Sequence, residues 1–139
     1  MSYEEKSTWV YAAVAVVIPV IYFATILPQL ATTPVADIAY QAPLLAAVGG
    51  AILAAIVAAI VLAIAAPSEA GKSDQRDRDV GRFGEYVGGS VTAVLAVVPF
   101  LLSIAEVDWF WIANSLYLAF VVGAFVGAVA KIWAYRRGI

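Results

Sequence analysis

Four long stretches of this chain contain no charged residue, and this feature constrains the fold more than any other. Each has 20 residues or more, which as a helix rising about 1.5 Å per residue crosses a hydrocarbon core about 30 Å thick. We therefore predict an all-α integral membrane protein, a four-helix bundle built as one domain from residues 1–139. The predicted spans are residues 8–30, 43–66, 86–105 and 109–133, and a charged loop, residues 67–85, joins the second span to the third.

The positive charges lie on one side of these spans. All eight Lys and Arg residues fall before span one, in the 67–85 loop, or at the end of span four and just after it. The other two loops, residues 31–40 and 106–108, carry only acidic charges. Because basic residues concentrate in the cytoplasmic segments of membrane proteins, both termini and the 67–85 loop are predicted to be cytoplasmic.

Composition removes several kinds of chemistry from consideration. Cysteine and histidine are both absent, which excludes disulfides, thiolate nucleophiles and Cys/His sites for zinc, haem or iron–sulfur clusters. The net charge of −2 disfavours a nucleic-acid partner. No pattern places a nucleophile beside a base. We expect no enzymatic activity, no metal and no cofactor.

Small residues recur at every fourth position in two of the spans. Such faces matter in lipid, where helix association depends on close approach of backbones. We expect span two to be central in the bundle. The glycine pair of span four is predicted to pack either on span two of the same chain or on span four of a second copy. The predicted packing residues are Gly50, Ala54 and Ala58 in span two, and Ser115, Ala119, Gly123 and Gly127 in span four.

A small polar group interrupts the start of span four. Asn114 must find a partner, because an unpaired amide in hydrocarbon costs several kcal/mol. An interhelical hydrogen bond is the favoured interpretation, and a substrate or ion contact is the alternative. In that alternative Tyr117 belongs to the same candidate polar site, with Glu106 and Asp108 at its outer mouth.

The loop before span three is dense in charge. Asp74 and Asp77 suit the N-terminus of a helix that enters the span. Pairs Asp74–Arg78 and Asp79–Arg82 have the spacing of ion pairs along such a helix. The loop as a whole is predicted to be a docking surface for a cytoplasmic partner or, through its arginines, for anionic lipid, although the alternating acids weaken the lipid interpretation. Its residues are Asp74, Arg76, Asp77, Arg78, Asp79 and Arg82.

Prolines predict two local irregularities. Pro19, in the middle of span one, should kink the helix, because proline lacks a backbone donor and clashes one turn back. In the first outer loop, Thr33 as N-cap and Pro34 at the first helical position predict a short interfacial helix. That helix is expected to break near Pro43 before span two begins.

The second half of the chain carries a family resemblance. The motif Asp-Gln-Arg-Asp-Arg-Asp of residues 74–79 opens the third span, and Ala105 to Asn114 form an acidic and aromatic turn. The chain resembles a group of small, uncharacterised four-span membrane proteins of bacteria, especially actinobacteria, many of which have Glu where this chain has Gln75. Relatives often have His where this chain has Trp109, so no role of that His is transferred. The resemblance implies a multi-pass protein of the bacterial inner (plasma) membrane, and no mechanism.

These features predict a non-enzymatic accessory or regulatory subunit. It would act through helix packing and the charged cytoplasmic loop. The expected partners are the lipid bilayer and either a second copy of the chain or another membrane protein. The alternative is a small homo-oligomeric transporter or channel, since four spans are few to enclose a pathway alone.

Overall fold

The computed structural model describes residues 1–138. Within them, four helical segments are long and apolar enough to cross a membrane, and no strand is present. This confirms the predicted all-α, four-helix membrane fold. The helices are α1 (Tyr3–Ile26), α2 (Gln41–Ala65), α3 (Gln75–Leu95), α4 (Val97–Ile104) and α5 (Trp109–Arg137), with 3-10 segments at Leu27–Ala31 and Val35–Asp37.

Helix α3 begins well before its apolar part, so much of the segment predicted as the 67–85 loop is helical. Asp74 is the N-cap, and its side chain accepts a 2.7 Å hydrogen bond from the Asp77 amide. The Asp77 carboxylate accepts in return from the Asp74 amide at 3.3 Å. This reciprocal capping satisfies backbone donors that no helical carbonyl reaches. It confirms the placement of both aspartates at a helix start.

The helix is continuous at Pro19 in the first span but interrupted just before Pro99 in the third. Helix α1 continues through Pro19 without interruption. The bend at Pro19 stays a prediction. The third span is interrupted at Ala96, between α3 and α4, three residues before Pro99. Pro99 has no N–H to donate to the carbonyl of Leu95, which ends α3.

The first outer loop forms only one 3-10 turn, Val35–Asp37. Its N-cap position is Pro34 and no side chain caps it, so the prediction of Thr33 as N-cap was wrong. Pro43 lies in the first turn of α2, where a missing N–H costs no hydrogen bond. The predicted break at Pro43 was therefore also wrong, and the chain turns just before Gln41 instead.

The helices pack in the order α2, α1, α5, α3, with α4 also on α5. Span two is therefore peripheral: only 6% of its most apolar window is buried, and the prediction that it is central was wrong. The physical reason is that Ala, Val, Ile and Leu gain little by leaving lipid for protein. The main core cluster joins α1, the first outer loop, α2 and α5, and comprises Tyr22, Ile26, Ile38, Tyr40, Ala47 and Phe110.

Candidate functional site

The first residues of the chain, the last turns of α5 and the start of α3 meet at one end of the bundle, which we call the basic end. A cluster around Tyr135 ties them together there. The Tyr135 hydroxyl donates a 2.9 Å hydrogen bond to Asp77 Oδ1, and the Ser2 hydroxyl donates to the same oxygen at 3.4 Å. Arg76 Nη2 donates to the Tyr135 carbonyl at 2.8 Å, and the guanidinium carbon lies 5.9 Å from the Tyr135 ring centroid. We call this group the Tyr135 cluster.

Below the Tyr135 cluster, α3 packs closely on α5 through glycines. A Cβ added to Gly88 would lie 2.7 Å from the Gly123 carbonyl oxygen, and one added to Gly127 would lie 2.9 Å from the Gly84 carbonyl oxygen. Real Cβ atoms are essentially never found so close, so both pairs of glycines are required for this helix separation. Glycine at spacing four is a common way for membrane helices to bring backbones together.

The partner of the span-four glycine face is thus span three, so the prediction of span two or of a second copy was wrong. The sequence carried the signal, because Gly84 and Gly88 are themselves spaced by four. Within the same face Ala119 is buried and Ser115 is half-buried. The predicted span-two face lies elsewhere: Gly50 has no atom within 4 Å of an added Cβ, and Ala54 and Ala58 are half-buried.

The predicted docking residues divide into two groups. Asp74 caps α3, and Arg76 and Asp77 belong to the Tyr135 cluster. The other three, Arg78, Asp79 and Arg82, are exposed. Together with Glu85 they form what we call the outer face of α3: Arg78, Asp79, Arg82 and Glu85.

The outer face shows little internal charge pairing. The predicted ion pairs Asp74–Arg78 and Asp79–Arg82 do not form among residues 1–138, so that prediction was wrong. Long exposed side chains lose rotamer entropy on pairing, and this offsets most of the Coulomb attraction in water. The charges of Arg78, Asp79 and Arg82 are therefore available to another molecule.

Asn114 has an interhelical partner, as expected. Its side chain is 7% exposed, and its Oδ1 accepts a 2.6 Å hydrogen bond from the Tyr22 hydroxyl of α1. Asn114 Nδ2 donates to the Phe110 carbonyl at 2.8 Å. The Tyr117 ring packs edge-on against Tyr22, with 5.4 Å between centroids. The polar spot in span four is thus enclosed by aromatic rings.

The two carboxylates predicted at the mouth of the polar site, Asp108 and Glu106, are not part of the group around Asn114. Asp108 caps α5 by accepting a 2.9 Å hydrogen bond from the Phe110 amide. Glu106 is exposed in the tight turn after α4, with a φ of 53°. Both therefore belong to a solvated turn, and the structure does not bring them into one site with Asn114 and Tyr117.

Neither a metal site nor similarity to a known protein assigns a role to the side chains described above. Over residues 1–138, no cluster of three or more acidic side chains is placed to hold a metal ion. Comparison with protein-family models, with curated proteins and with solved structures finds no match to this chain. The outer face of α3 and the groups beside it have to be interpreted from their own geometry.

Proposed function

We propose that the chain is a non-enzymatic accessory or regulatory subunit that docks a partner protein on the outer face of α3. One observation carries this: the charged start of α3 is a formed helix, capped by Asp74 and tied to α5 by Tyr135. The exposed charges of this segment are therefore carried on a helix that is already formed. A preformed surface binds at a lower entropic cost than a flexible loop.

The charge pattern favours a protein partner. Arg78, Asp79, Arg82 and Glu85 alternate in sign along the outer face. Such a pattern offers little net attraction to a uniformly anionic surface. It can match complementary charges on another protein, where the arrangement of both signs fixes register and excludes wrong partners.

We further propose that the protein lies in a bacterial inner membrane and that its basic end faces the cytoplasm. The distribution of basic residues supports the orientation, since all eight Lys and Arg residues belong to segments at this end. The resemblance to small four-span bacterial proteins supports the membrane. A cytoplasmic position would bring the outer face of α3 within reach of soluble and membrane-bound partners.

A homo-oligomeric transporter or channel is the weaker candidate. Its predicted lining, Asn114 and Tyr117, packs against Tyr22 of the same chain. Its predicted mouth, Glu106 and Asp108, lies in a solvated turn. Asn114, Tyr117 and Asp108 already have structural roles, and we therefore favour the accessory function.

Site-specific crosslinking tests the proposal. A photo-crosslinking amino acid is placed at Asp79, on the outer face, and at Ala36, an exposed position in the opposite loop. Irradiation of cells of the native host is expected to give one discrete heterologous adduct from position 79 and not from position 36. Adducts only with lipid, or with further copies of this chain, at position 79 would contradict the docking proposal.

A further inference from the structure

A groove of about 350 Å³ runs beside the glycine contact between α3 and α5. Gly88 and Gly89 form part of its floor, and Phe120 and Ala124 of α5 line one side. Tyr11 of α1 lines another. Because glycine has no side chain, the glycines in its lining leave the space between the helices open.

The groove walls contain two threonines that need no polar ligand. The Thr8 hydroxyl donates to the Glu4 carbonyl at 2.8 Å, and the Thr92 hydroxyl donates to the Gly88 carbonyl at 3.0 Å. Hydroxyls satisfied within their own helix are compatible with a hydrocarbon neighbour. The body of the groove can therefore hold an apolar chain.

Lys131 stands at the mouth of the groove. Its aliphatic stem lies over Gly84, where an added Cβ would overlap the lysine side chain. The ammonium Nζ is 3.9 Å from a carboxylate oxygen of Glu85, whose side chain is 77% exposed. A pair this long and this exposed is weak. Glu85 can rotate away and leave the ammonium to another anion.

The length of the groove corresponds to one leaflet of a bilayer. Between Lys131 at the mouth and Phe120 deeper in the groove, α5 rises about 16 Å at about 1.5 Å per residue. The hydrocarbon core is about 30 Å thick, so one leaflet accounts for about half of it. A cation at the interface and an apolar channel one leaflet deep match the two parts of a phospholipid.

We propose that this groove binds an anionic phospholipid, with its phosphate headgroup at Lys131 and one acyl chain along Gly88 and Gly89. Pockets between membrane helices that carry a basic residue at the cytoplasmic side suit anionic headgroups. The groove shares Glu85 with the outer face of α3, but binding of lipid in it does not depend on the docking proposal.

Matched variants separate the two parts of the site. Gly89→Leu adds a branched side chain to the lining of the groove. An added Cβ there meets no neighbouring group within 4 Å, so the α3–α5 contact is kept. Gly49→Leu is its control, because Gly49 of α2 is equally open and lies outside the groove. Lys131→Gln removes the cation at the mouth. Lys72→Gln is its control, since Lys72 is exposed in the α2–α3 connection.

Native mass spectrometry of delipidated protein, titrated with phosphatidylglycerol or phosphatidylcholine, measures the binding. The wild type is expected to retain one phosphatidylglycerol in preference to phosphatidylcholine. Lys131→Gln should weaken phosphatidylglycerol retention about fivefold, the effect of one lysine near a membrane surface. Gly89→Leu should abolish retention of both lipids, and each control should bind like the wild type.

Other outcomes would overturn the proposal. Equal retention of the two lipids by the wild type would remove the role of Lys131. Unchanged binding in Gly89→Leu would show that lipid sits elsewhere. Competition by glycerophosphoglycerol, the headgroup without acyl chains, would assign the site to a soluble phosphate compound. Helicity measured by circular dichroism confirms that each variant is folded before it is scored.

Discussion

The Tyr22 hydroxyl lies 2.6 Å from the side-chain oxygen of Asn114, and this hydrogen bond joins α1 to α5 within the apolar part of the bundle. Both side chains are buried, with exposed fractions of 4% and 7%. In hydrocarbon, neither group has water as an alternative partner. The bond therefore fixes the position of α1 against α5.

Loss of this hydrogen bond should destabilise the fold. Tyr22→Phe and Asn114→Leu each leave the other polar group unpaired, and each is expected to lower the free energy of unfolding by about 1–2 kcal/mol. The double variant should cost less than the sum of the two. Tyr117→Phe is the control and should be nearly neutral, because the Tyr117 ring belongs to the same aromatic group and its hydroxyl makes no hydrogen bond within residues 1–138. Unfolding in mixed micelles gives the energies, and strict additivity would contradict the coupling.

Replacing either of two neighbouring glycines of α3 by alanine should change the stability of the protein differently. At Gly88 the new Cβ would lie 2.7 Å from the Gly123 carbonyl oxygen, so α3 and α5 must separate, at a cost of about 1–3 kcal/mol. At Gly89 the new Cβ meets nothing within 4 Å, and the gain in helix propensity should leave stability equal or slightly higher. Thermal unfolding of Gly88→Ala and Gly89→Ala compares them directly. Equal effects would contradict the described packing.

The Tyr135 cluster should hold the first turns of α3 in helical form. Tyr135→Phe deletes the hydrogen bond to Asp77, worth about 1 kcal/mol. We expect amide hydrogen exchange in residues 75–80 to rise about fivefold, with the membrane-embedded part of α3 unchanged. Tyr86→Phe removes an exposed hydroxyl from the same helix and should leave exchange unaltered. Unchanged exchange in Tyr135→Phe would remove the argument for a preformed docking helix.

The proposed orientation can be read from introduced cysteines, because the chain has none of its own. Ala36→Cys and Ser68→Cys place exposed thiols at opposite ends of the bundle. In intact cells, a membrane-impermeant maleimide should label position 36. Position 68 should react only after lysis, since the segments rich in basic residues remain in the cytoplasm. Labelling of position 68 in intact cells would reverse the topology.

The sequence predicted the existence of the spans better than their arrangement. Charge-free stretches report how long a helix can remain in lipid, so four spans were readable directly. Small residues at spacing four occur in spans two, three and four, and nothing within one helix says which other helix it meets. The contact of Gly88 with Gly123 therefore became visible only when both helices were placed.

In the candidate site, interactions between residues close in the chain were predictable, and those between distant residues were not. Capping by Asp74 and Asp77 depends on residues three apart, and the sequence predicted it. The need of Asn114 for a partner was also predictable, because it is a property of one amide in hydrocarbon. Its partner Tyr22 and the bond between Tyr135 and Asp77 join residues far apart in the chain. Aromatic residues are common near membrane interfaces, so Tyr135 gave no distinguishing signal.

The most direct test of the docking function is mass spectrometry of intact complexes purified gently from the native host membrane. We expect a stoichiometric heterologous subunit with the wild type. That subunit should be lost when Arg78→Glu and Arg82→Glu are combined, and retained with Lys72→Glu. A complex made only of copies of this chain would contradict the docking function and favour the transporter or channel.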